Sequence, residues 1–325
     1  MEFLMRTAVI SHVLLFGLLS QSGCSRSDSS LKIIGGEDVT NPGFFAGLVH
    51  EGENQPFCGA SFISERILVT AAHCVAYTND RLEILPAISN MEVGNVVRIS
   101  VKAAVMHPLW NEETLTNDIA LLFIDEKAVL PKGITVAAYQ EESRAELPER
   151  LDLMGWGDIS THGLLQPGNL QGVTVQTIPW ESCSKLDGYG RVTSNQFCSS
   201  GGDAGGKDSC YGDSGGPAFS ADGFNGVKLY GLISWGKACA QSGKPGVLTR
   251  ISSYSGWITE TIGTVLTDDS SFARASTCYD RFTDAYSFSD GYNSITMENY
   301  VRPDPWSIQE DSDNSRGASA LTGCP

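Results

Sequence analysis

Gly212-Asp213-Ser214-Gly215-Gly216-Pro217 is the stretch of this 325-residue chain that most strongly constrains its fold and chemistry. Glycines on both sides of a serine let the backbone approach a carbonyl group closely and direct several N–H groups towards one point. Ser214 is therefore a candidate nucleophile, but a serine hydroxyl needs a base to accept its proton. The stretch directs attention to the histidines and to a carboxylate that could orient one of them.

His73 and Asp118 are the candidate partners of Ser214. His73 follows an apolar run and precedes a cysteine in Val69-Thr70-Ala71-Ala72-His73-Cys74, and Asp118 precedes the apolar run 119–124. Taken singly, the serine motif could be a tight turn, His73 a core histidine and Asp118 a strand cap. Together, the chain order His, Asp, Ser is one of the known orders of a catalytic triad.

The chain around these residues predicts short strands. Residues 33–263 alternate apolar runs with turn signals, which is typical of a β-sandwich or β-barrel. A helix is predicted at the end of this region by apolar residues near helical spacing. The runs are residues 61–69, 96–105, 119–124, 151–156, 173–178, 228–235 and 246–251, and the helical residues are Ile251, Tyr254, Trp257, Ile258 and Ile262.

Composition and cysteine spacing argue against nucleic-acid binding and against a zinc site. The chain has 38 acidic and 22 basic residues, and its net charge of -16 disfavours nucleic-acid binding. Nine cysteines, with no CxxC spacing, favour disulfides over a zinc site if the protein is exported.

The N-terminus resembles an export signal. Arg6 precedes the apolar run 8–19, and small polar residues follow it. Two cuts are open: an ordinary signal peptidase would cut before Gly23, and a lipoprotein-type cut would fall before Cys24. We expect a signal peptide at 1–23 and a secreted or lipid-anchored protein; a buried N-terminal helix is the alternative.

The C-terminal extension, residues 264–325, differs from the rest of the chain. It has ten acidic and four basic residues, yet it also has aromatics and the cysteines Cys278 and Cys324. Disordered tails are poor in aromatics, so we expect a short segment held by a disulfide between these two cysteines. A loosely attached acidic tail remains the alternative.

Six separated motifs make residues 33–263 resemble a trypsin-like serine protease of the chymotrypsin family. Besides the three above they are Ile33-Ile34-Gly35-Gly36, Gly155-Trp156-Gly157 and Ser234-Trp235-Gly236. The resemblance implies an all-β fold of two six-stranded antiparallel β-barrels with a C-terminal helix, followed here by the short extension.

The resemblance also implies the role of each site residue. Ser214 would attack the scissile carbonyl, His73 would carry the proton and Asp118 would orient His73. The backbone N–H groups of Gly212 and Ser214 would form the oxyanion hole. Ser234, Trp235 and Gly236 would pair with the substrate backbone.

Specificity for Arg or Lys follows from the same comparison. Asp208 corresponds to the acid at the base of a trypsin pocket, and Gly236 and Gly246 correspond to its wall. Ala238 stands where trypsins usually have glycine, which could alter the Arg/Lys balance.

The resemblance also implies that the protein is activated by cleavage after Lys32. This cut would remove a propeptide, residues 24–32, from the protease. The new amino terminus of Ile33 would then pair with Asp213. Self-activation is possible because Lys32 is itself a basic residue.

The family also implies three disulfides, Cys58 with Cys74, Cys183 with Cys198 and Cys210 with Cys239, which leaves Cys24 as the odd cysteine. Residues 85–95 correspond to a calcium loop but retain only Glu92 among its acidic ligands. We therefore predict neither a metal nor a cofactor.

The sequence thus predicts a secreted zymogen of a serine endopeptidase. Its expected partners are protein or peptide substrates cut after Arg or Lys, and protein inhibitors, with no nucleic acid and a monomeric state. One alternative is a non-catalytic homologue that acts as a binding or regulatory module. Another is a protease of narrow specificity whose C-terminal extension docks its target.

Overall fold

The computed structural model describes residues 35–76, 81–91, 96–142, 146–158, 167–202, 205–222 and 226–267. The predicted apolar runs form strands, except that a turn at residues 65–66 divides the run 61–69 between two strands. After a short strand β1 (Glu37–Asp38), six antiparallel strands form the first barrel. They are β2 (Phe45–His50), β3 (Cys58–Ser64), β4 (Ile67–Thr70), β5 (Leu82–Pro86), β6 (Ile99–Met106) and β7 (Ala120–Ile124).

The first barrel closes in the order β2-β3-β4-β7-β6-β5. Its interior is a cluster of buried aliphatic and aromatic side chains. β6 alternates buried with more exposed residues, as a strand does when one face is solvated. The cluster includes Leu48, Phe62, Leu68, Leu82, Ile84 and Leu122.

The second barrel is also a ring of six strands. The ring runs β9-β10-β11-β14-β13-β12 and closes because β9 pairs with both β10 and β12. β1 extends it at β10, and β8 adds a parallel pairing at β13. The strands are β8 (Ala138–Tyr139), β9 (Arg150–Gly155), β10 (Gln171–Ile178), β11 (Gln196–Ser200), β12 (Pro217–Asp222), β13 (Gly226–Gly236) and β14 (Gly246–Arg250).

Two α-helices complete the described fold: α1 (Trp180–Cys183) and α2 (Ser255–Thr267). The predicted helical residues Ile251 and Tyr254 lie in a 3-10 helix, Ile251–Tyr254, immediately before α2. α2 continues four residues past the expected domain boundary at residue 263, and Val265 is buried in the main hydrophobic cluster. None of the helices in the described ranges is both long and apolar enough to cross a membrane. The prediction of two six-stranded barrels with a C-terminal helix is confirmed.

Aromatic side chains fix the two barrels against each other. Phe45 of β2 stacks on Trp156, which follows β9, with ring centroids 5.1 Å apart. Phe44 meets Phe219 of β12 edge-on at 5.3 Å. All four are buried, and each contributes about 1.5–3 kcal/mol through burial of its apolar surface. This interface holds residues of the two barrels in fixed relative positions along the cleft.

Candidate active site

His73 lies in the first barrel, in the short 3-10 helix Ala72–Cys74 that follows β4. A disulfide joins Cys58 of β3 to Cys74, so the residue next to His73 is covalently attached to the neighbouring strand. The His73 side chain is 25% exposed, which leaves part of the imidazole open to the cleft.

Asp118 lies at the start of the run that becomes β7 and is completely buried. Its carboxylate accepts hydrogen bonds from the His73 backbone N–H at 2.9 Å, from His73 Nδ1 at 2.8 Å and from Ser234 Oγ at 2.5 Å. Thr249 Oγ1 donates to its main-chain oxygen at 2.9 Å. Because a carboxylate can only accept, Nδ1 carries the hydrogen and Nε2 is left as the basic nitrogen.

The Ser214 loop is held against the His73 segment by backbone contacts. Gly59 N–H, next to Cys58, donates to the Ser214 carbonyl at 2.7 Å. Gly215 has a φ of 73°, and a Cβ there would lie 2.3 Å from Thr70 Oγ1. Glycine is therefore required at this position both by the backbone conformation and by the close approach of β4. These contacts bring together the two halves of the site that the sequence predicted.

The backbone amides of Gly212 and Ser214 are available to a ligand. Gly212 has a φ of 94°, which residues other than glycine rarely adopt. In the described part of the chain, neither amide donates a hydrogen bond to another protein group. Two such donors beside a serine hydroxyl match what an oxyanion requires.

A cavity of about 200 Å³ opens beside Ser214. Asp208 lies in its lining together with the predicted wall residues Gly236 and Gly246 and with Ala238. The expected disulfide partners Cys210 and Cys239 also line the cavity, together with Tyr211 and Ile233, which the sequence did not single out. Tyr211 is 72% exposed, an unusual position for a large ring.

The Asp208 carboxylate is only 3% exposed, and burial raises its pKa to about 7. Two backbone N–H groups partly offset this effect: Ser209 donates to Oδ1 at 2.9 Å and Ala240 to Oδ2 at 3.1 Å. A Cβ on Gly246 would lie 3.0 Å from Oδ1, so this position leaves little room beside the carboxylate. A cationic ligand in the cavity would therefore favour the ionised form of this carboxylate.

Asp213 is a second buried carboxylate, next to Ser214 in the chain. It accepts from Gly157 N–H and Cys210 N–H, both at 2.8 Å, and burial raises its pKa to about 7. A Cβ on Gly155 or on Gly157 would lie only 2.0 Å or 2.5 Å from atoms of this side chain. The Gly155-Trp156-Gly157 motif is therefore needed to make room for Asp213.

Residues 234–236, at the end of β13, pair with another strand on one side only. Trp235 pairs with Val247 and Gly236 with Gly246, whereas the pairing of β13 with β12 extends only to Leu232. Among the described residues, the other edge of this segment has no strand partner. Such an edge can accept an added peptide strand.

Two contributions to the site were not predicted from the sequence. Ser234 was expected only to pair with the substrate, but its hydroxyl also donates to Asp118. Tyr189 is the second, since its hydroxyl donates to the Pro245 carbonyl at 2.8 Å, one residue before Gly246. Neither residue has a sequence signal of its own, because both contacts join segments that are far apart in the chain.

The other described histidines have surroundings typical of packing. His107 meets the rings of Tyr254 and Trp257 edge-on, and burial lowers its pKa. His50 stacks on Phe57 at 4.4 Å. His73 is the described histidine that has a carboxylate on Nδ1.

The structure has disulfides between Cys58 and Cys74, Cys183 and Cys198, and Cys210 and Cys239. Cys58, Cys74 and His73 also form the one potential metal-ligand cluster among the described residues, but both sulfurs are in the disulfide. Lys32, Ile33, Cys24, Glu92 and the predicted pair of Cys278 with Cys324 lie outside the described residues.

A double barrel with a paired His and Asp beside a glycine-flanked serine defines the class of chymotrypsin-fold serine proteases. A protein-family model described as trypsin matches residues 33–258. Human serine protease 1 is 36% identical over 208 residues, which cover 63% of this chain and 80% of that protein. Trypsin-3 of Salmo salar is 36% identical over 239 residues, covering 72% and 94%, and trypsin of Simulium vittatum is 42% identical over 195 residues, covering 58% and 74%.

The chain therefore belongs to the trypsin family. It is a trypsin-like serine endopeptidase that hydrolyses peptide bonds in protein substrates.

Proposed function

We propose that this protease cleaves after Arg or Lys and that Ser214, His73 and Asp118 are its catalytic triad. The observation that carries the specificity is the buried Asp208 carboxylate in the lining of the cavity beside Ser214. A cationic side chain entering this cavity would compensate the cost of ionising Asp208 there.

The hydrogen bonds between His73 and Asp118 support the proposed mechanism. His73 Nε2 accepts the proton of the Ser214 hydroxyl as Oγ attacks the scissile carbonyl, and the Asp118 carboxylate stabilises the imidazolium through Nδ1. The amides of Gly212 and Ser214 donate to the oxyanion, each contributing about 10²–10³ in rate. His73 then protonates the leaving amine, and a water molecule repeats the sequence on the acyl-enzyme.

The substrate backbone would bind to the open edge of residues 234–236. The residue that precedes the scissile bond would insert its side chain into the cavity beside Ser234. Antiparallel pairing would place the residues before it along Trp235 and Gly236. Antiparallel addition supplies main-chain hydrogen bonds that do not depend on the substrate sequence.

Hydrolysis of blocked single-residue amides of Arg, Lys, Gln and Phe tests the specificity. We expect the activated protein to cleave the Arg and Lys amides and Ser214→Ala to cleave none of them. Cleavage of the Phe amide at a comparable rate would contradict the assignment of Asp208.

We further propose that the protein is made as a zymogen and is activated by cleavage after Lys32. Asp213 is a buried carboxylate without a described cationic partner, and an unpaired buried charge costs about 3–5 kcal/mol. The ammonium group of a newly formed Ile33 terminus would supply the missing charge.

The Lys32→Ala variant tests this proposal, with Lys127→Ala as a control at an exposed basic residue. We expect Lys32→Ala to remain uncut and inactive, and the control to behave like the unmodified protein. Full activity in Lys32→Ala would refute zymogen activation at this bond.

Self-activation is a separate step of the proposal. The Ser214→Ala precursor incubated with a trace of mature enzyme should be cut after Lys32, and absence of that cut would indicate a separate activating protease.

Secretion is proposed from the N-terminal signal and the disulfides, and mass spectrometry of the mature N-terminus tests it. Ile33 as the first residue supports export followed by activation. Retention of residues 1–23 would contradict export, and a lipid-modified Cys24 would show membrane anchoring.

The role of the C-terminal extension is tested by truncation after Thr267, because a shorter chain would remove the buried Val265. If the extension docks protein targets, the truncated enzyme loses activity on protein substrates and keeps activity on small amides. Equal losses on both would indicate a folding role.

Size-exclusion chromatography tests the expected monomeric state. Titration with protein inhibitors tests the expected inhibitor binding.

A further inference from the structure

Two positive side chains contact aromatic rings next to the open edge of residues 234–236. The Arg191 guanidinium carbon is 4.2 Å from the centroid of the Trp235 ring, and Lys237 Nζ is 5.3 Å from that of Tyr189. The Tyr189 and Trp235 rings stack with centroids 5.6 Å apart. We call Arg191, Lys237, Tyr189 and Trp235 the cationic patch.

The two cations of this patch donate their hydrogen bonds to main-chain oxygens. Arg191 Nη1 donates to the Glu113 carbonyl at 3.2 Å, and Lys237 Nζ donates to the Asp187 carbonyl at 3.3 Å. Within the described ranges, neither cation forms an ion pair with a carboxylate. Both side chains are exposed, so their charges are accessible to a ligand.

The hydrogen bond of Arg191 also fixes where its charge lies. Glu113 belongs to the loop that leads into β7 of the first barrel, whereas Trp235 belongs to β13 of the second. Arg191 therefore spans the two barrels beside the cleft, and its guanidinium covers part of the ring of a residue to which we have assigned substrate pairing. In a chain with 38 acidic and 22 basic residues, such accessible positive charge beside the cleft needs an explanation.

We propose that the cationic patch binds an acidic side chain of the substrate. This side chain belongs to the residue two or three positions before the Arg or Lys that precedes the scissile bond. The proposal rests on the proposed function, because it requires the substrate strand to pair with residues 234–236. The substrate residue two positions before the one at the scissile bond then lies opposite Gly236, next to Lys237. The substrate residue three positions before it lies near Arg191. Each exposed ion pair would increase kcat/KM about two- to fivefold.

Matched peptide amides test the proposal. Each peptide has four residues and Arg at the cleaved position, and carries Glu, Gln or Lys either two or three residues upstream, with Ala elsewhere. We expect kcat/KM to fall in the order Glu, Gln, Lys at one of these positions. The Glu to Gln ratio should approach one at high salt, because the screening length falls from about 10 Å at 0.1 M to about 3 Å at 1 M.

Variants assign the effect to the patch. Arg191→Gln and Lys237→Gln should each reduce the Glu to Gln ratio, and Arg191→Lys should retain part of it. The ratio is the informative readout, because a general structural defect would slow both peptides equally. Lys102→Gln is the matched control: Lys102 lies on β6 of the first barrel, 3.4 Å from Asp125, and its loss should leave the ratio unchanged.

The outcomes separate this proposal from the proposed function. If the wild-type enzyme fails to cleave the blocked Arg amide, the proposed specificity itself is wrong. If it cleaves that amide but shows a Glu to Gln ratio of one at both positions, the acidic preference is refuted alone. A Glu to Gln ratio that is the same in Arg191→Gln and in Lys237→Gln as in the wild-type enzyme would likewise refute the assignment to the patch.

Discussion

Replacing Asp208 with Asn should weaken activity and, at neutral pH, stabilise the fold. The variant keeps the shape of the side chain and removes the carboxylate from the lining of the cavity beside Ser214. If a substrate cation pairs with Asp208, losing that partner costs about 2–5 kcal/mol, or about 30- to 4,000-fold in kcat/KM on a blocked Arg amide. The same change removes the cost of keeping a buried carboxylate ionised.

The size of the stability effect follows from the pKa of Asp208. Burial raises this pKa from 3.8 to about 7, so the folded protein holds a proton that the unfolded chain releases above pH 4. The associated stability is fully present below pH 3.8 and is lost as the pH rises through 7. Between pH 5 and pH 8 the loss amounts to about 3 kcal/mol, at 1.36 kcal/mol for each pKa unit.

Urea unfolding in a Ser214→Ala background measures this effect without self-digestion. Asn has one acceptor oxygen, so either the Ser209 or the Ala240 amide loses its partner, at a cost of about 1–3 kcal/mol at every pH. The informative quantity is therefore the change with pH. We expect the free energy of unfolding of Asp208→Asn, relative to its parent, to rise by about 3 kcal/mol from pH 5 to pH 8.

A matched control is Glu149→Gln, which removes an exposed carboxylate from the second barrel and should show no such rise. Two results would refute the reasoning. One is retention of Arg-amide hydrolysis within a few-fold by Asp208→Asn, and the other is a stability difference that does not vary between pH 5 and pH 8.

Three further predictions concern neighbouring contacts. Asp118→Asn presents an amide that can donate to His73 Nδ1 and favour the wrong tautomer, so kcat should fall about 10⁴-fold while the far-ultraviolet circular dichroism spectrum stays the same. Gly246→Ala places a Cβ 3.0 Å from Asp208 Oδ1 and should raise KM for Arg and Lys amides more than Gly236→Ala, whose Cβ lies 3.8 Å from its nearest neighbour. Replacing both Cys183 and Cys198 by Ala opens a loop with a sequence separation of 15 and should lower the free energy of unfolding by about 3 kcal/mol, measured by urea unfolding.

The strands and the triad candidates could be predicted because their signals are local. The apolar run 119–124 predicts a strand by itself, and β7 occupies Ala120–Ile124. Ser214 and His73 each stand within a short distinctive motif. The resemblance to a family then supplied what no local pattern contains, namely that these motifs meet in one cleft.

Contacts between distant segments could not be predicted in the same way. Ser234 lies 116 positions from Asp118, and its hydroxyl has no sequence feature that marks it as a donor to that carboxylate. No feature of the sequence distinguishes Arg191 from other surface cations, and its contact with the Trp235 ring is visible only in the folded structure. The sequence contained Gly155 and Gly157 as parts of a motif, but their physical role appears only when Asp213 packs against them.

The two buried carboxylates of the 208–213 segment explain why substrate binding and activation should depend on each other. Burial is the main cause that raises the pKa of Asp208, and the charge of Asp213 adds to it. Because repulsion between two charges is mutual, each negative charge makes the other more costly. A cation that neutralises Asp213 therefore favours the ionised form of Asp208, which is the form that would bind Arg or Lys in the proposed function. By linkage, a bound substrate cation would favour ionised Asp213, and with it the proposed ion pair to Ile33, by the same free energy. Activation by cleavage after Lys32 would thus increase the ionised fraction of Asp208, and would also order the loop around Ser214.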